Sequence, residues 1–261
     1  MSLSVSHLTF AYDKTPVLND VSFSCGEGTL LAILGPNGVG KTTLFRCMLG
    51  EQKRYSGLIA IDGTDVRTLS ARALAHRIAY IPQTHAPAFR FSVRDMVLMG
   101  TTHRISPLSA PKADELAIAE QAMKRLGVEA LADRDFSRIS GGEQQLVYIA
   151  RALAQQAKTL LMDEPTSSLD YGNQLAVLSV VKELTKDGYT VLLSTHNPQH
   201  ALWYANEILA LSGGRVAANG ATGEHLTPEL LRTLYGKEFR LLSTDSGPVI
   251  VPETNKEETE K

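Results

Sequence analysis

The sequence predicts an α/β protein: a parallel sheet with flanking helices, an antiparallel β region at the N-terminus, and an inserted helical subdomain. Three observations carry that expectation. Apolar runs of strand length alternate with amphipathic runs of helix length, as parallel strands and their crossover helices do. A glycine-rich turn joins the apolar run "TLLAILG" to the helical run "KTTLFRCMLG". Between "IPQ" and "TLLMDE" the strand pattern stops, and residues from about 85 to 157 read as helix instead.

In chain order, "LSVSHLTF" and "VLNDVSFSC" mix apolar and polar positions and are rich in Val, Phe, Ser and Thr, as short strands are. "TLLAILG" is a continuous apolar run, which fits a central strand buried on both faces. The helix after the turn stops at Gly50. "SGLIAIDG" is a strand bracketed by glycines, and "RIAYIPQ" is a strand ended by Pro82. Within the insertion, "SVRDMVLMG" opens on a Ser cap and closes on Gly. "KADELAIAEQAMKRLG" has an acidic start and a basic end that match its macrodipole, and "GEQQLVYIARALAQQ" is a third helix. The strands "TLLMDE", "TVLLSTH" and "EILALSGG" follow, with the helical "NQLAVLSVVKELTKDG" between the first two. One domain is expected over residues 1–240, with the insertion at about 85–157. Residues 241–261 are expected to be a partly disordered tail, since the chain closes on the charged "TNKEETEK".

Composition bounds the function. A chain of 261 residues with 43% hydrophobic and 21% charged residues is an ordinary globular chain with ample core. A net charge of −2 gives no global basic field for nucleic acid or for an anionic membrane surface. Cys25 and Cys47 match no metal spacing and read as packed thiols in a reducing compartment. The N-terminus has no basic region followed by a long apolar run, so a signal peptide is not expected. No window approaches the run of about eighteen apolar residues that a spanning helix needs, so any membrane role requires a partner.

The chemistry starts at "GPNGVGKT", which fits the phosphate-loop pattern G-x-x-x-x-G-K-[ST] in full. Gly35, Gly38 and Gly40 let the backbone bend around phosphate oxygens without Cβ clashes. The loop Gly35, Pro36, Asn37, Gly38, Val39, Gly40, Lys41, Thr42 and Thr43, with the helix start behind it, then faces the anion with the N–H groups of its non-proline residues. Lys41 supplies a point charge to the outer phosphates, and the Thr42 hydroxyl can ligate Mg²⁺. A strand precedes the loop and a helix follows it, so a P-loop nucleoside triphosphate site is expected.

"TLLMDE" ends a buried strand on Asp163 and Glu164, where carboxylates enter the ligand crevice of a parallel sheet. Asp163 is expected to hold Mg²⁺, and Glu164, one residue later, points elsewhere and is free to act on a water. His196 ends the next strand in a similar position, suited to a phosphate oxygen or to the attacking water. Gln83, closing "AYIPQ", could reach Mg²⁺ or water. A second glycine turn, Ser140, Gly141 and Gly142, stands ahead of the third insertion helix, which is again the chemistry of an anion site. With Glu143 it also forms S-x-x-E, a capping box, and both readings can hold together.

Together these motifs resemble the nucleotide-binding subunit of ATP-binding-cassette (ABC) transporters over roughly residues 2 to 240. "FAYD" resembles the aromatic loop, with Tyr12 stacking on adenine, and "GPNGVGKTT" the Walker A loop. "TLLMDE" resembles Walker B, with Glu164 as the catalytic glutamate. Gln83 matches the Q-loop, Asp170 in "SSLD" the D-loop, His196 the switch histidine, and "ISGGEQQ" the signature. The resemblance implies Mg-ATP hydrolysis catalysed by Glu164, His196, Gln83 and Lys41. It implies a head-to-tail dimer of two copies, in which the signature of one covers the ATP of the other. The signature departs from its usual form at Ile139, Glu143 and Gln144. An ionised Glu143 beside a γ-phosphate would be repulsive, so its carboxylate is expected to turn back to the cap.

The resemblance further implies integral membrane permease subunits, whose coupling helices dock on the run from Gln83 through the insertion, and a periplasmic or lipoprotein substrate-binding protein. The chain would then sit peripherally on the cytoplasmic face of the inner membrane. The bland reading of Met96, Val97, Leu98 and Met99 is inward packing on a surface helix. "SVRDMVLMG" followed by "HRISPLSAPKADE" resembles ATPases that import iron–siderophore, haem, cobalamin or molybdate-type cargo, with Thr101 and Thr102 where many iron-chelate members carry arginine. No nucleic acid is expected as a partner. An exporter ATPase and a soluble ATPase of cofactor assembly are the alternatives. His85, His103, His200 and His225 are scattered and are not expected to bind metal.

Overall fold

The computed structural model describes residues 2–83, 90–105, 110–245 and 247–253. The chain begins with the hairpin β1 (Leu3–Tyr12) and β2 (Thr15–Cys25), and β3 (Leu30–Leu34) then leads through the glycine loop into α1 (Lys41–Met48). β4 (Ser56–Ile61), β5 (Thr64–Asp65), α2 (Ala71–Ala75) and β6 (Ile78–Ile81) follow. The insertion contributes α3 (Val93–Leu98), α4 (Ala113–Arg125) and α5 (Gly141–Ala154). The pattern resumes with β7 (Thr159–Asp163), α6 (Tyr171–Lys186), β8 (Thr190–Thr195), α7 (Pro198–Tyr204) and β9 (Glu207–Ser212). β10 (Arg215–Ala221), α8 (Thr222–His225), α9 (Pro228–Tyr235), β11 (Phe239–Thr244) and β12 (Gly247–Pro252) complete the described chain.

The central sheet has the order β10-β9-β3-β8-β7-β6. Its inner pairings are parallel, and β10 closes one edge antiparallel to β9. Every residue of β3, β7 and β8 is buried, which is why these strands read as unbroken apolar runs. Side chains alternate between the two faces. Leu160, Met162, Val191 and Leu193 pack toward α5, α6 and the insertion. Leu161, Leu192, Leu31 and Ile33 pack toward α1 and the second, antiparallel sheet β2-β1-β4-β5. The expected fold class is the one observed, and the site groups fall at the carboxyl ends of β3, β6, β7 and β8.

The insertion follows its sequence signals. Ser92 and Asp95 form a capping box at the start of α3. Met96 and Val97 are buried, whereas Leu98 and Met99 are partly buried against the same cluster. Cys25 and Cys47 are free and buried, and burial pushes both thiols up to about 12. Among the described residues, no helix is long and apolar enough to cross a membrane.

The C-terminal boundary needs correction. The expected tail from residue 241 begins inside β11, and ordered structure runs through Pro252. Phe239, Leu241 and Ile250 pack on a core of Ala201, Leu230, Leu231 and Leu234, so the hairpin has an apolar anchor that the charged terminus concealed. His85 and the rest of 84–89, residues 106–109, and the closing stretch from 254 lie outside the described residues.

Candidate functional site

Sharp backbone turns build the phosphate loop. Gly35, Gly38 and Gly40 have φ of 151°, 79° and 113°. A Cβ on Gly35 would come within 2.6 Å of the Leu211 carbonyl oxygen, and one on Gly40 within 2.8 Å of Leu18. Glycine is therefore required here by the neighbouring strands as well as by any anion. Gly40 caps α1 without a side-chain acceptor, and no acidic residue occupies the first turn. The amides and positive dipole end of α1 are thus left for an outside anion.

The loop walls a cleft of about 280 Å³ lined by Asn37, Gly38, Gly40, Lys41, Thr42, Thr43, Gln83, Asp163 and Glu164. Pro36 contributes its carbonyl to the Lys41 ammonium at 3.2 Å, and Val39 packs into the core beneath the loop. Lys41 also donates to the Gly35 carbonyl at 2.7 Å, and its Nζ lies 3.5 Å from Glu164 Oε1. Burial lowers the Lys41 pKa, and the charge of Glu164 and then that of Asp163 oppose this.

Asp163 is buried and saturated with donors. Its Oδ2 accepts from the Thr42 hydroxyl at 2.8 Å and from Tyr80 OH at 3.4 Å, and its Oδ1 accepts from Ser194 at 2.6 Å. A buried carboxylate beside a hydroxyl, both opening on a phosphate loop, is an all-oxygen donor set that fits Mg²⁺. Glu164 has φ of 45°, unusual for a residue with a side chain, and its N–H donates to Ser194 Oγ at 2.9 Å. Glu164 Oε2 lies 3.0 Å from His196 Nδ1, and His196 is half exposed. Gln83 donates to Ser167 Oγ at 3.2 Å, and Ser167 donates to the Glu164 carbonyl at 3.1 Å.

Nine expected residues are absent from the cleft lining: Gly35, Pro36 and Val39 of the loop itself, His196 beside Glu164, and Tyr12, Ser140, Gly141, Gly142 and Asp170. Tyr12 ends β1, half exposed, with its ring edge-on to Phe10 at 4.8 Å and facing Arg46. Ser140 caps α5, and its hydroxyl and N–H both donate to Glu143 Oε2 at 2.7 Å. The hydrogen bonds from Ser140 hold the Glu143 carboxyl below the usual range, so Glu143 does turn back onto the cap. Asp170 caps α6, its Oδ1 accepting from Asn173 N at 2.9 Å and its Oδ2 from Asn173 Nδ2 at 2.7 Å. A Cβ on Gly142 would meet that Asn173 side chain at 2.5 Å, and one on Gly141 would approach Leu169 at 3.4 Å. The signature turn and the Asp170 turn therefore form one packed unit.

Sequence reasoning missed Tyr80, Ser194 and Ser167. Ser194 follows the apolar run Val191, Leu192 and Leu193, and Tyr80 puts a polar tip in a largely apolar strand; both were detectable as polar groups at buried-strand positions. Nothing in "PTSSLD" separates Ser167 from Ser168.

Comparison with known proteins places this geometry. The family model described as "ABC transporter" matches residues 18–167. An ABC transporter ATP-binding protein of Haemophilus influenzae is 40% identical over 242 residues, covering 93% of this chain and 92% of that one. A hemin import ATP-binding protein of Rhodococcus jostii is 40% identical over 229 residues, covering 87% of this chain and 77% of that one. Among solved structures, a chain from a transporter described as of the metal-chelate ABC type, in an inward-facing conformation, superposes with a TM-score of 0.86. It is 34% identical, and the match covers 97% of this chain and 98% of that chain.

Proposed function

Because the chain belongs to the ABC transporter family, it is an ATP-binding and ATP-hydrolysing subunit, and we propose that it powers the import of a metal chelate through integral membrane subunits. The observation that carries the hydrolytic part is Glu164, held between Lys41 at 3.5 Å and His196 at 3.0 Å at the mouth of the phosphate-loop cleft. In this reading Lys41 leaves the Gly35 and Pro36 carbonyls for the outer phosphates of ATP. Thr42 and Asp163, with Gln83, would hold Mg²⁺, which when bound would supply positive charge to offset that of the phosphates. Glu164 accepts a proton as the oxygen of a water attacks the γ-phosphorus and the bond to the β-phosphate oxygen breaks, releasing ADP and phosphate. His196 orients Glu164 and reaches the γ-phosphate.

Tyr12 stacks on adenine from the end of β1. Ser140, Gly141, Gly142 and Asp170 serve the nucleotide of a second copy, which explains a helix start packed and capped yet remote from its own chain's cleft. A groove of about 320 Å³ between α2, β6, α5 and the end of α3, with Leu74, Tyr80, Met99 and Arg151 in its lining, suits a helix from a membrane subunit. The hemin-import relative and the metal-chelate structure favour a metal complex as cargo and import as the direction.

The test combines trapping with transport. Glu164→Gln should bind ATP, lose hydrolysis by roughly 10²–10⁴-fold, and form an ATP-dependent dimer by light scattering. With membrane subunits in liposomes, chelate uptake should require ATP and stop in the same variant. A persistent monomer with ATP would sink the dimer, and full hydrolysis by the variant would sink the role of Glu164.

A further inference from the structure

The C-terminal hairpin is fastened to the helix that follows His196. On α7, Gln199 and Trp203 stand four residues apart and so share one face. Both donate to a single acceptor, the Pro248 carbonyl oxygen, at 3.2 Å and 2.9 Å. Gln199 Oε1 in turn accepts from Ile250 N at 2.8 Å. One edge of β12 thus pairs with side chains of a helix, while its other edge pairs with β11. Beneath these bonds, Ile250, Leu241 and Phe239 pack on the core that holds Ala201, Leu202 and Ala205.

The other end of α7 fixes the backbone at His196. Asn197 caps the helix, its Oδ1 accepting from Gln199 N at 3.0 Å. Its own N–H donates to Thr195 Oγ1 at 3.0 Å, and its side-chain amide meets the buried His200 Nε2 at 3.0 Å. His196 is therefore the single residue between β8 and the cap of a helix whose outer face is tied to the hairpin. Its ring is half exposed, and its hydrogen bond within the described residues is to Glu164. The ring is set by that bond to Glu164 and by the backbone on either side of it, β8 before and the cap of α7 after.

We infer that Gln199 and Trp203 are positioning residues for hydrolysis: through them the hairpin of residues 239–252 sets α7, and α7 sets His196 against Glu164. This rests on the reading above that His196 takes part in hydrolysis. The hairpin then acts on the chemical step and not only on the stability of the fold.

The test uses the full-length protein with Mg-ATP and the variants Gln199→Ala, Trp203→Phe and His196→Ala, each alone, with Gln199→Ala also paired with His196→Ala. Trp203→Phe keeps an aromatic ring while removing the indole N–H donor and the smaller ring that bears it. The expected result is a kcat lowered about five-fold or more in both positioning variants, within what a small misplacement of a reacting group causes. KM for ATP should stay within about two-fold, and the Gln199→Ala loss should vanish in the His196→Ala background. Trp203 is the sole tryptophan, so in Gln199→Ala its emission should also shift to the red as the hairpin loosens. Wild-type kcat in the positioning variants would overturn the inference. So would a loss that adds fully to His196→Ala, or one that merely follows a fallen unfolding midpoint. If His196→Ala itself hydrolyses ATP at the wild-type rate, the role of His196 falls first and this inference falls with it.

Discussion

The Lys41 ammonium donates to the Gly35 carbonyl oxygen at 2.7 Å, within the loop whose anion it is placed to meet. The lysine is thus held ready by neutral acceptors that phosphate oxygens can replace. Lys41→Met should weaken ATP binding by about ten- to a hundred-fold, the worth of one hydrogen bond to a charged group. Titration with a fluorescent ATP analogue measures this. Unchanged affinity would remove Lys41 from the phosphate site.

Gly142 packs against the side chain of Asn173, and the room there is smaller than a methyl group. Gly142→Ala should lower stability by about 1–3 kcal/mol, the usual cost of overpacking. It should also slow hydrolysis, because the Asn173–Asp170 pair must move. Adding Asn173→Ala removes the clashing atoms and should recover stability in a thermal melt. A double variant as unstable as the two losses summed would contradict this packing.

Glu143 spends its carboxylate on the Ser140 cap, so Glu143→Gln should hydrolyse ATP within about two-fold of the wild type, since Gln keeps a cap acceptor. Ser140→Ala removes the cap itself and should cost about 0.5–2 kcal/mol. The folded Glu143 pKa is lowered, so its contribution to stability is present above the unfolded carboxyl pKa and is lost as pH falls through the folded one. Glu143→Gln should flatten that acidic limb in a series of melts. A sharp loss of ATPase activity instead would mean that Glu143 contacts nucleotide.

His200 and His103 add a second loss of stability on acidification, at higher pH than that of Glu143. Burial is the main cause that lowers both pKa values below the usual histidine value. The unfolded chain therefore binds more protons on acidification, and stability falls as pH drops below the unfolded value near 6.5. Melts between pH 7.5 and 5.5 should show a declining midpoint, and His200→Gln should reduce the slope. A midpoint that rises on acidification would reverse the sign assigned to these groups.

Much of the site was legible because its chemistry is local in sequence. The loop from Gly35 to Thr42 is one contiguous segment, and Asp163, Glu164 and His196 each end an apolar run that can only be a buried strand. Three things were not legible. Ser194 and Tyr80 reach Asp163 across strand pairings, and no spacing within one segment encodes that. The positive φ of Glu164 is a tertiary constraint imposed on an ordinary residue type. The hairpin of Phe239–Pro252 was hidden because its strands are exposed at most positions and a charged terminus dominates the local composition. By contrast the local sequence does mark α9: Thr227 caps it, Pro228 stands in its first turn, and Gly236 takes the left-handed region at its end.

The placement of β3 governs how the protein can be born. The strand that carries the phosphate loop pairs on one side with β8 and on the other with β9. The Leu30 amide donates to Asn206, 176 residues further along the chain. A nascent chain therefore exposes its nucleotide loop early but has no sheet to support it until the last third has left the ribosome. Contacts of such long reach slow folding and leave apolar strand surface exposed until they form. Soluble yield on expression should therefore depend on chaperone supply, and truncations that end before β9 should fail to fold at all.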